Sequence, residues 1–355
     1  MKNNKEEQEN NAYSFYLGTY TDAESKGIYK YFLHTNGTLQ KGGLAAKSEN
    51  PSFLAYSDDK KYLLAVNEIN NEENVGTIES FLTGKDSLSF ISRSQTGGAH
   101  PCFICINKSG YILTANYTGG NVGLLQINLN GVLSNLLDLQ QHNGSGTTER
   151  QKGPHAHYAC FEPGSNRVVS LDLGTNELWF SVLDTTVNKL VPSAPYKLAM
   201  KEGAGPRHLA FHPNGKWLYV LNELNSTISI VQKNEANEFE ITTSVSTLPN
   251  GFTGPNTGAE IIISSDGHFL YASNRGHNSI AIFGINKNDG TLVLVEHEPT
   301  HGDSPRNFAL TPDEKFLLVA NQKSNNIVSF TRDVTNGMLK FADKIEAPSP
   351  VCILF

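Results

Sequence analysis

The sequence predicts an all-β protein, a seven-bladed β-propeller with four-stranded antiparallel blades. Six segments share one pattern: an apolar run, a tight turn, and a second apolar run that ends in Asn or Asp, as in PRHLAFHPNGKWLYVLN from Pro206. This pattern is the signature of a β-hairpin. One or two further strand-like runs follow each hairpin, and the unit recurs about every 50 residues, which is typical of a propeller blade.

The two ends of the chain together supply the seventh unit. Residues 13–19 (YSFYLGT) resemble the second strand of a unit, and the final residues SPVCILF resemble a first strand that then stops. We therefore expect residues from about 350 to 355 to pair with the N-terminal blade and close the ring, because closure removes unpaired strand edges. A β-solenoid or a pair of sandwiches, the alternative folds, would not need a repeat that is split between the termini.

Outside the repeat, residues 1–11 (MKNNKEEQENN) are a polar leader that we expect to be disordered, and residues 12–355 are expected to form one propeller domain. The leader lacks the apolar segment of a signal peptide. We expect a cytoplasmic protein, with export after removal of a signal as the alternative. We also expect a monomer or a weak homodimer.

Composition argues against several classes of protein. No run of 18 apolar residues occurs, so no membrane span is expected. The net charge of −7 disfavours a nucleic-acid surface, which would carry a basic excess. Four cysteines are too few for a disulfide framework. Cys102 and Cys105 have the spacing of half a zinc site, but residues three apart on a strand point to opposite faces and no second pair follows.

The hairpin pattern also predicts where a functional site lies, because it brings the start of the first strand and the end of the second to the same end of each blade. Just after the leading residue, the first strands carry Ser52, Cys102, His157, Arg207, Ala259, Arg306 and Val351. The second strands end with Asn67, Asn116, Asp172, Asn222, Asn274 and Asn321, the Asn/Asp row, which we expect to cap turns. Both sets should line one mouth of the central channel, where a concave pocket forms.

Charged side chains concentrate at this mouth. They are His157, Arg207 and Arg306 on first strands, Glu68, Glu223 and Arg275 just after second strands, and His100, His155 and His208 beside them. Guanidinium groups bind carboxylate or phosphate through paired hydrogen bonds, and a His or Glu can transfer protons. The set therefore predicts a site for an anionic, carbonyl-containing small molecule. Residues 140–154 and 249–258 are candidate lids. We expect Arg150 to be a solvated loop residue, with a role in adding positive charge over a bound anion as the alternative.

Several strings in the chain resemble the seven-bladed lactonase family, which contains propeller-type 6-phosphogluconolactonases and carboxy-cis,cis-muconate cyclases. The resemblance spans residues 13–355, and the strings GPHAHYACFEP and GPRHLAFHPNGKWLYVLNE are its most specific parts. It implies a lactone-opening or lactone-forming reaction without a metal or organic cofactor. It also implies catalytic roles for Arg207, Glu223, Arg275 and either His155 or His157.

We therefore expect hydrolysis of a sugar-acid lactone, with 6-phospho-D-glucono-1,5-lactone of the pentose phosphate pathway as the first candidate. The expected catalytic residues are His157, Arg207, Glu223 and Arg275, and the expected substrate-binding residues are His155, His208, Arg306, His100 and Glu68. His157 is placed before His155 because the hairpin register sets it on the innermost strand. The alternatives are a muconate-type lactonising cyclase, a metal-dependent gluconolactonase, and a non-catalytic propeller that binds a sugar phosphate.

Overall fold

A computed structural model describes residues 11–236 and 238–355. These residues form 28 strands in seven four-stranded antiparallel sheets, with one short 3-10 helix at Glu149–Gln151. The predicted all-β propeller and its four-stranded blades are confirmed. Of the predicted leader, residues 1–10 lie outside the described residues, and Asn11 begins the first strand.

The strands are numbered along the chain. In the first half they are β1 (Asn11–Thr19), β2 (Gly27–His34), β3 (Leu39–Lys47), β4 (Pro51–Tyr56), β5 (Tyr62–Asn67), β6 (Thr77–Thr83), β7 (Leu88–Gln95), β8 (Pro101–Ile106), β9 (Tyr111–Asn116), β10 (Asn121–Gln126), β11 (Asp138–Gln141), β12 (Ala156–Phe161), β13 (Arg167–Asp172) and β14 (Glu177–Asp184). In the second half they are β15 (Lys189–Ala199), β16 (Pro206–Phe211), β17 (Trp217–Asn222), β18 (Thr227–Lys233), β19 (Phe239–Ser246), β20 (Thr257–Ile263), β21 (Phe269–Arg275), β22 (Ser279–Ile285), β23 (Leu292–Pro299), β24 (Pro305–Leu310), β25 (Phe316–Asn321), β26 (Asn326–Arg332), β27 (Leu339–Glu346) and β28 (Pro350–Leu354).

Each blade runs outward from an innermost strand. Blades 1 to 6 contain β4–β7, β8–β11, β12–β15, β16–β19, β20–β23 and β24–β27, and blade 7 contains β28 followed by β1–β3. The innermost strands β4, β8, β12, β16, β20, β24 and β28 each contact the next around a complete circle. They therefore surround a central channel.

Burial along the strands explains why the sequence forms blades. The second strands, such as WLYVLN in β17 and FLLVAN in β25, are buried along their whole length because adjacent blades cover both of their faces. The outermost strands, such as β7 and β27, are mostly exposed or half-buried after their first residue, as expected for a strand with one face in solvent. The apolar core therefore lies between the blades.

The Asn/Asp row lies at the ends of the second strands, fully buried, and caps the connections there. Asn116 Nδ2 donates to the carbonyl of Thr96 at 3.0 Å, and Asn321 Nδ2 donates to the carbonyl of Thr300 at 3.0 Å. Asp172 Oδ1 accepts from the backbone N–H of Thr175 at 2.8 Å. Asn67 and Asn274 also donate to backbone carbonyls, whereas Asn222 donates to side-chain hydroxyls. The expected capping role is therefore confirmed for five of the six positions, where buried backbone groups need such partners.

The ring closes through the last strand, as predicted. β28 pairs antiparallel with β1, with Leu17 opposite Ile353 and Gly18 opposite Cys352. Ile353 is buried in the core that also contains Phe15 and Leu17. Within the residues that the structure describes, no helix has the length and apolar character needed to cross a membrane.

Removal of β28 should therefore open the ring. We expect deletion of residues 350–355 to abolish the single cooperative unfolding transition, because β1 would become an exposed edge. The milder change Ile353→Ala should lower the free energy of unfolding by about 2–4 kcal/mol through the cavity it leaves. Urea denaturation monitored by circular dichroism measures both effects.

The matched control for this experiment is Val293→Ala on the outermost strand β23, where the side chain is 65% exposed. This change should shift the unfolding free energy by less than about 0.5 kcal/mol. Equal effects of the two substitutions would contradict a special role of β28.

Candidate active site

A β-bulge at the start of each innermost strand sets the direction of the predicted site residues. In blade 4 the pairing register shifts between Pro206 and His208, so that Arg207 is the extra residue. The same shift makes His157 and Arg306 extra residues in blades 3 and 6. Bulges redirect side chains and occur next to active sites. Here they stand at the end of the channel where the innermost strands begin, which we call the rim.

Glu223 is the centre of an arginine cluster at the rim. Its carboxylate contacts Arg150 Nη1 at 2.6 Å, Arg207 Nε at 3.0 Å and Arg275 Nη2 at 3.0 Å. Arg207 also donates from Nη1 to the carbonyl of Ala259, and Arg275 Nη2 donates to the carbonyl of Gly258 at 2.8 Å. These contacts hold the guanidinium groups of Arg207 and Arg275 in fixed positions.

The electrostatics of this cluster are dominated by burial and by the close cations. Burial alone would raise the pKa of Glu223, but Arg275, Arg207 and Arg150 outweigh it and hold that pKa at about 2. Burial, with Arg275 and Arg306 nearby, lowers the pKa of Arg207 to about 10. At neutral pH the carboxylate is therefore ionised and the guanidinium of Arg207 remains protonated.

Arg306 forms a second cluster with Glu68 and Tyr20. The carboxylate of Glu68 accepts a hydrogen bond from the Tyr20 hydroxyl at 2.8 Å and lies 3.8 Å from Arg306 Nη2. The Arg306 guanidinium lies 5.2 Å from the centre of the Tyr20 ring. Sequence reasoning missed Tyr20, although it follows β1 as Glu68 follows β5 and Glu223 follows β17.

His157 lies in the channel between these clusters. Its side chain is buried, and its Nδ1 has no hydrogen-bond partner among the described residues. The His157 ring lies 5.6 Å from that of Tyr117 and 5.2 Å from that of His208. Burial, followed by Arg207, His208 and Arg306, lowers the pKa of His157 well below 6.5. The imidazole is therefore neutral at neutral pH and can accept a proton.

His155 stands beside the cluster and holds Tyr117. Its ring stacks on Tyr117 with centres 4.5 Å apart, and its Nδ1 lies 3.1 Å from the Tyr117 carbonyl oxygen. The Tyr117 hydroxyl in turn accepts from Arg150 Nη2 at 3.0 Å. Arg150, expected from the sequence to be a solvated loop residue, thus reaches Glu223 and Tyr117, although its side chain is 47% exposed.

His208 lies one layer deeper in the channel than the sequence suggested. Its Nδ1 is 2.8 Å from Glu260 Oε1, and the other oxygen of Glu260 accepts from Asn307 Nδ2 at 2.7 Å. Burial, together with Arg207, lowers the pKa of His208 although Glu260 opposes this shift. A neutral imidazole facing a carboxylate carries its proton on Nδ1. Its Nε2 is then an acceptor, with no partner among the described side chains and backbone groups.

Sequence reasoning missed Glu260 and Asn307, although a signal was available. Each follows the bulged residue of its strand, as His208 follows Arg207, so the three occupy equivalent positions in blades 4, 5 and 6. By contrast, the structure does not bring His100 into the clusters. Its Nδ1 lies 2.8 Å from Thr118 Oγ1, and no contact is described between His100 and the other predicted site residues.

Comparison with known proteins gives the family. The profile of the family described as lactonase, 7-bladed beta-propeller, matches residues 14–355. This chain belongs to that family. A 6-phosphogluconolactonase from Bacillus subtilis (strain 168) is 37% identical to this lactonase, covering 97% of this chain and 98% of the relative.

Two further proteins are similar over nearly the whole lactonase. A 6-phosphogluconolactonase from Formosa agariphila is 36% identical, covering 92% of this chain and 94% of the relative. The solved structure of the periplasmic gluconolactonase of Pseudomonas aeruginosa superimposes with a TM-score of 0.91 at 28% identity, covering 96% of this chain and 98% of that chain. Together with the family match, these similarities identify the protein as a lactone hydrolase.

Among the residues that the structure describes, no three or more His, Cys, Asp and Glu side chains form a group that could hold an ion. Both oxygens of Glu223 face guanidinium groups. Metal independence stays a prediction from the family resemblance.

Glu223 should make the stability of the lactonase depend on pH in the acid range. Because its pKa falls from 4.5 to about 2 on folding, the ionised carboxylate stabilises the fold above about pH 4.5, and this contribution is lost as the pH falls toward 2. Glu223→Gln should cost about 3 kcal/mol at pH 7, and the difference from the wild type should shrink between pH 5 and pH 2.5.

Urea denaturation at a series of pH values measures this difference. Glu240→Gln, at an exposed position on β19, is the control and should match the wild type at every pH. If the Glu223 variant loses the same stability at pH 3 as at pH 7, the carboxylate does not stabilise the cluster through its charge.

Proposed function

We propose that this lactonase hydrolyses a phosphorylated sugar-acid lactone, 6-phospho-D-glucono-1,5-lactone, to the open acid. The observation that carries the proposal is the concentration of four guanidinium groups at one rim, those of Arg150, Arg207, Arg275 and Arg306, against the two carboxylates of Glu223 and Glu68. The whole chain has a net charge of −7. A local cationic excess on an acidic protein favours an anionic ligand.

His157 is proposed as the group that accepts a proton from the attacking water. It is buried, neutral at neutral pH, and has a ring nitrogen free of protein partners within the described residues. Glu223, the other candidate, is less suited to this step. Its low pKa makes it a weak base, and three guanidinium groups occupy its oxygens.

Arg207 and Arg275 are proposed to stabilise the negative charge that develops on the carbonyl oxygen of the lactone. Glu223 and the carbonyls of Ala259 and Gly258 fix both guanidinium groups before substrate binds. Donors that are already in place stabilise a transition state without the cost of reorganisation. Glu223 thus acts through the arginines that it positions.

The chemical step balances with one water molecule. The water oxygen bonds to the lactone carbonyl carbon while its proton passes to His157. Collapse of the tetrahedral intermediate breaks the bond between that carbon and the ring oxygen. His157 then returns the proton to the departing ring oxygen, and the new carboxylic acid ionises in solution.

Arg306 is proposed to bind the phosphate of the substrate. It lies at the rim beside Tyr20 and Glu68, and its contact with Glu68 is long, at 3.8 Å. A phosphate could therefore compete for the guanidinium through shorter, charge-assisted hydrogen bonds. His208 is less suited to this role than the sequence suggested, because it is buried and bonded to Glu260.

Names of relatives support a phosphorylated substrate without deciding it. The Bacillus subtilis relative is named a 6-phosphogluconolactonase, whereas the Pseudomonas aeruginosa structure is described as a periplasmic gluconolactonase. A phosphorylated substrate would place this lactonase in the cytoplasm, at the lactone-opening step of the pentose phosphate pathway.

The deciding experiment is a pH-stat assay, which follows the acid released on ring opening. Freshly prepared 6-phosphogluconolactone and unphosphorylated gluconolactone are compared, each against its spontaneous hydrolysis. Faster acid release from the phosphorylated lactone in the presence of enzyme supports the proposal. Release no faster than the spontaneous rate with either lactone would contradict it.

Loss of the proposed base should slow the chemistry. We expect His157→Ala to lower kcat by about 10²–10⁴-fold, the usual contribution of a general base, with an unchanged thermal unfolding transition. Because the pKa of His157 lies well below 6.5, wild-type kcat/KM should hold down to pH 6.5 and fall only in more acid solution. The assay above, run at several pH values, measures both.

The matched control is His268→Ala, which removes an exposed imidazole at the opposite end of the hairpins. Its kcat should equal that of the wild type. A wild-type kcat in the His157 variant would remove His157 from the mechanism.

Substitution of Arg306 should lower activity toward the phosphorylated lactone more than activity toward gluconolactone. We expect Arg306→Ala to lower kcat/KM for the phosphorylated lactone by about tenfold to a hundredfold, the worth of one charged hydrogen bond, with little change for gluconolactone. Arg306→Lys keeps the charge and should recover part of the loss. An equal loss with both lactones would show that Arg306 does not recognise the phosphate.

A further inference from the structure

Two cysteines meet at the end of the channel opposite the rim. Cys105 is the fifth residue of β8, and Cys160 is the fifth residue of β12, so they occupy equivalent positions on the innermost strands of neighbouring blades. Both are partly exposed, and both line a cavity at this opposite mouth. The turn residues Asn107 and Glu162 line the same cavity.

Contacts along the two strands show that they run side by side in register. At the second position, Cys102 Sγ lies 3.7 Å from the His157 carbonyl oxygen. At the third position, the rings of Phe103 and Tyr158 lie 4.2 Å apart. The fifth positions continue this pairing, which places the thiols of Cys105 and Cys160 beside each other at the same cavity.

The other two cysteines differ in burial and environment. Cys102 and Cys352 are buried, and burial raises the pKa of Cys352 to about 12 and that of Cys102 still further. Thiols in such surroundings are inert, because the thiolate is the reactive form. At Cys160 the interaction with the neighbouring Cys105 thiol outweighs burial and, together with that of Tyr158, lowers the pKa of the thiol.

We propose that Cys105 and Cys160 form a redox-active dithiol that small-molecule disulfides oxidise to an intramolecular disulfide between blades 2 and 3. This site is separate from the rim and does not rest on the proposed lactone substrate. Among the described side chains, no metal-binding group of three or more ligands includes the pair. The chemistry that the site fits is therefore thiol–disulfide exchange.

The exchange balances in two steps. The thiolate of Cys160 attacks one sulfur of oxidised glutathione, forms a mixed disulfide and releases one glutathione thiolate. Cys105 then loses its proton and attacks the Cys160 sulfur, which forms the protein disulfide and releases the second glutathione thiolate. The protein loses two electrons and two protons, and the two departing thiolates take them up.

The pair differs from the Cys102-x-x-Cys105 motif visible in the sequence. Cys102 contacts backbone carbonyls of its own and the neighbouring blade, whereas Cys105 pairs with Cys160, which is distant in the sequence. A disulfide between Cys105 and Cys160 would join β8 and β12, which pack against each other but belong to different sheets. It would therefore tie blade 2 to blade 3 at the end of the channel remote from the rim.

The test incubates the full-length protein with mixtures of reduced and oxidised glutathione, followed by alkylation, digestion without reductant and mass spectrometry. We expect a peptide pair linked through Cys105 and Cys160, with Cys102 and Cys352 recovered as free thiols. The oxidised protein should also unfold at a temperature several degrees higher than the reduced protein, because the link restricts the unfolded chain. Recovery of both thiols unlinked, or of a separate glutathione adduct on each, would overturn the proposal.

Two single variants separate the steps. Cys105→Ser should stop the reaction at a stable glutathione adduct on Cys160, whereas Cys160→Ser should leave Cys105 unmodified. Neither variant should show the oxidation-dependent rise in unfolding temperature. An oxidised Cys160→Ser protein that still gains thermal stability would show that another thiol is responsible, and this too would overturn the assignment.

Discussion

Closure of the ring is the constraint on which the rest of the molecule depends. Each blade buries its faces only against its neighbours, so six blades in an open row would leave two apolar faces in water. The pairing of β28 with β1 closes the row and makes every innermost strand equivalent. Because of this equivalence, bulges at one position of each strand can direct side chains from several blades toward a common point.

The arginine side chains at the rim repel one another, and the carboxylate of Glu223 offsets this repulsion. Arg207 is buried and Arg275 is largely so. Guanidinium groups that face each other in such surroundings are unfavourable unless an anion lies between them. Glu223 supplies that anion and leaves the rim with a positive excess. Burial, reinforced by the nearby positive charges of Arg207 and Arg306, lowers the pKa of His157 and keeps its imidazole neutral. The positive charge that we propose for binding an anionic substrate thus also favours the neutral form of the proposed base.

The fold and the location of the site could be predicted from the sequence because both follow from the repeat. The hairpin period places His157, Arg207, Glu223 and Arg275 at one mouth, and the structure finds them there. Contacts between blades could not be predicted this way. Arg150 folds inward from a long loop because its side chain is long enough to reach the carboxylate of Glu223. Neither the path of that loop nor the reach of the side chain follows from the blade repeat.

Depth in the channel was the other property that the repeat did not convey. His208 was expected at the rim, but on a strand the residue after a bulge points to the next layer. There its Nδ1 pairs with Glu260, whose other carboxylate oxygen accepts a hydrogen bond from Asn307. Sequence reasoning missed Tyr20 for a related reason. Blade 7 is divided between the two ends of the chain, so it is not apparent from the repeat that Tyr20 follows a second strand as Glu68 and Glu223 do.

The division of blade 7 between the two ends of the chain also determines the directions in which those ends leave. β1 runs toward the rim and β28 runs away from it, so the start of β1 and the end of β28 lie at the same face, opposite the arginine cluster. A segment that continues from the start of β1 or the end of β28 therefore leaves the propeller at the face remote from the arginine cluster. The start of β1 and the end of β28 also lie close together, with the rings of Tyr13 and Phe355 5.9 Å apart. A short linker could therefore join the two strands, and new ends could then be opened between any other two blades.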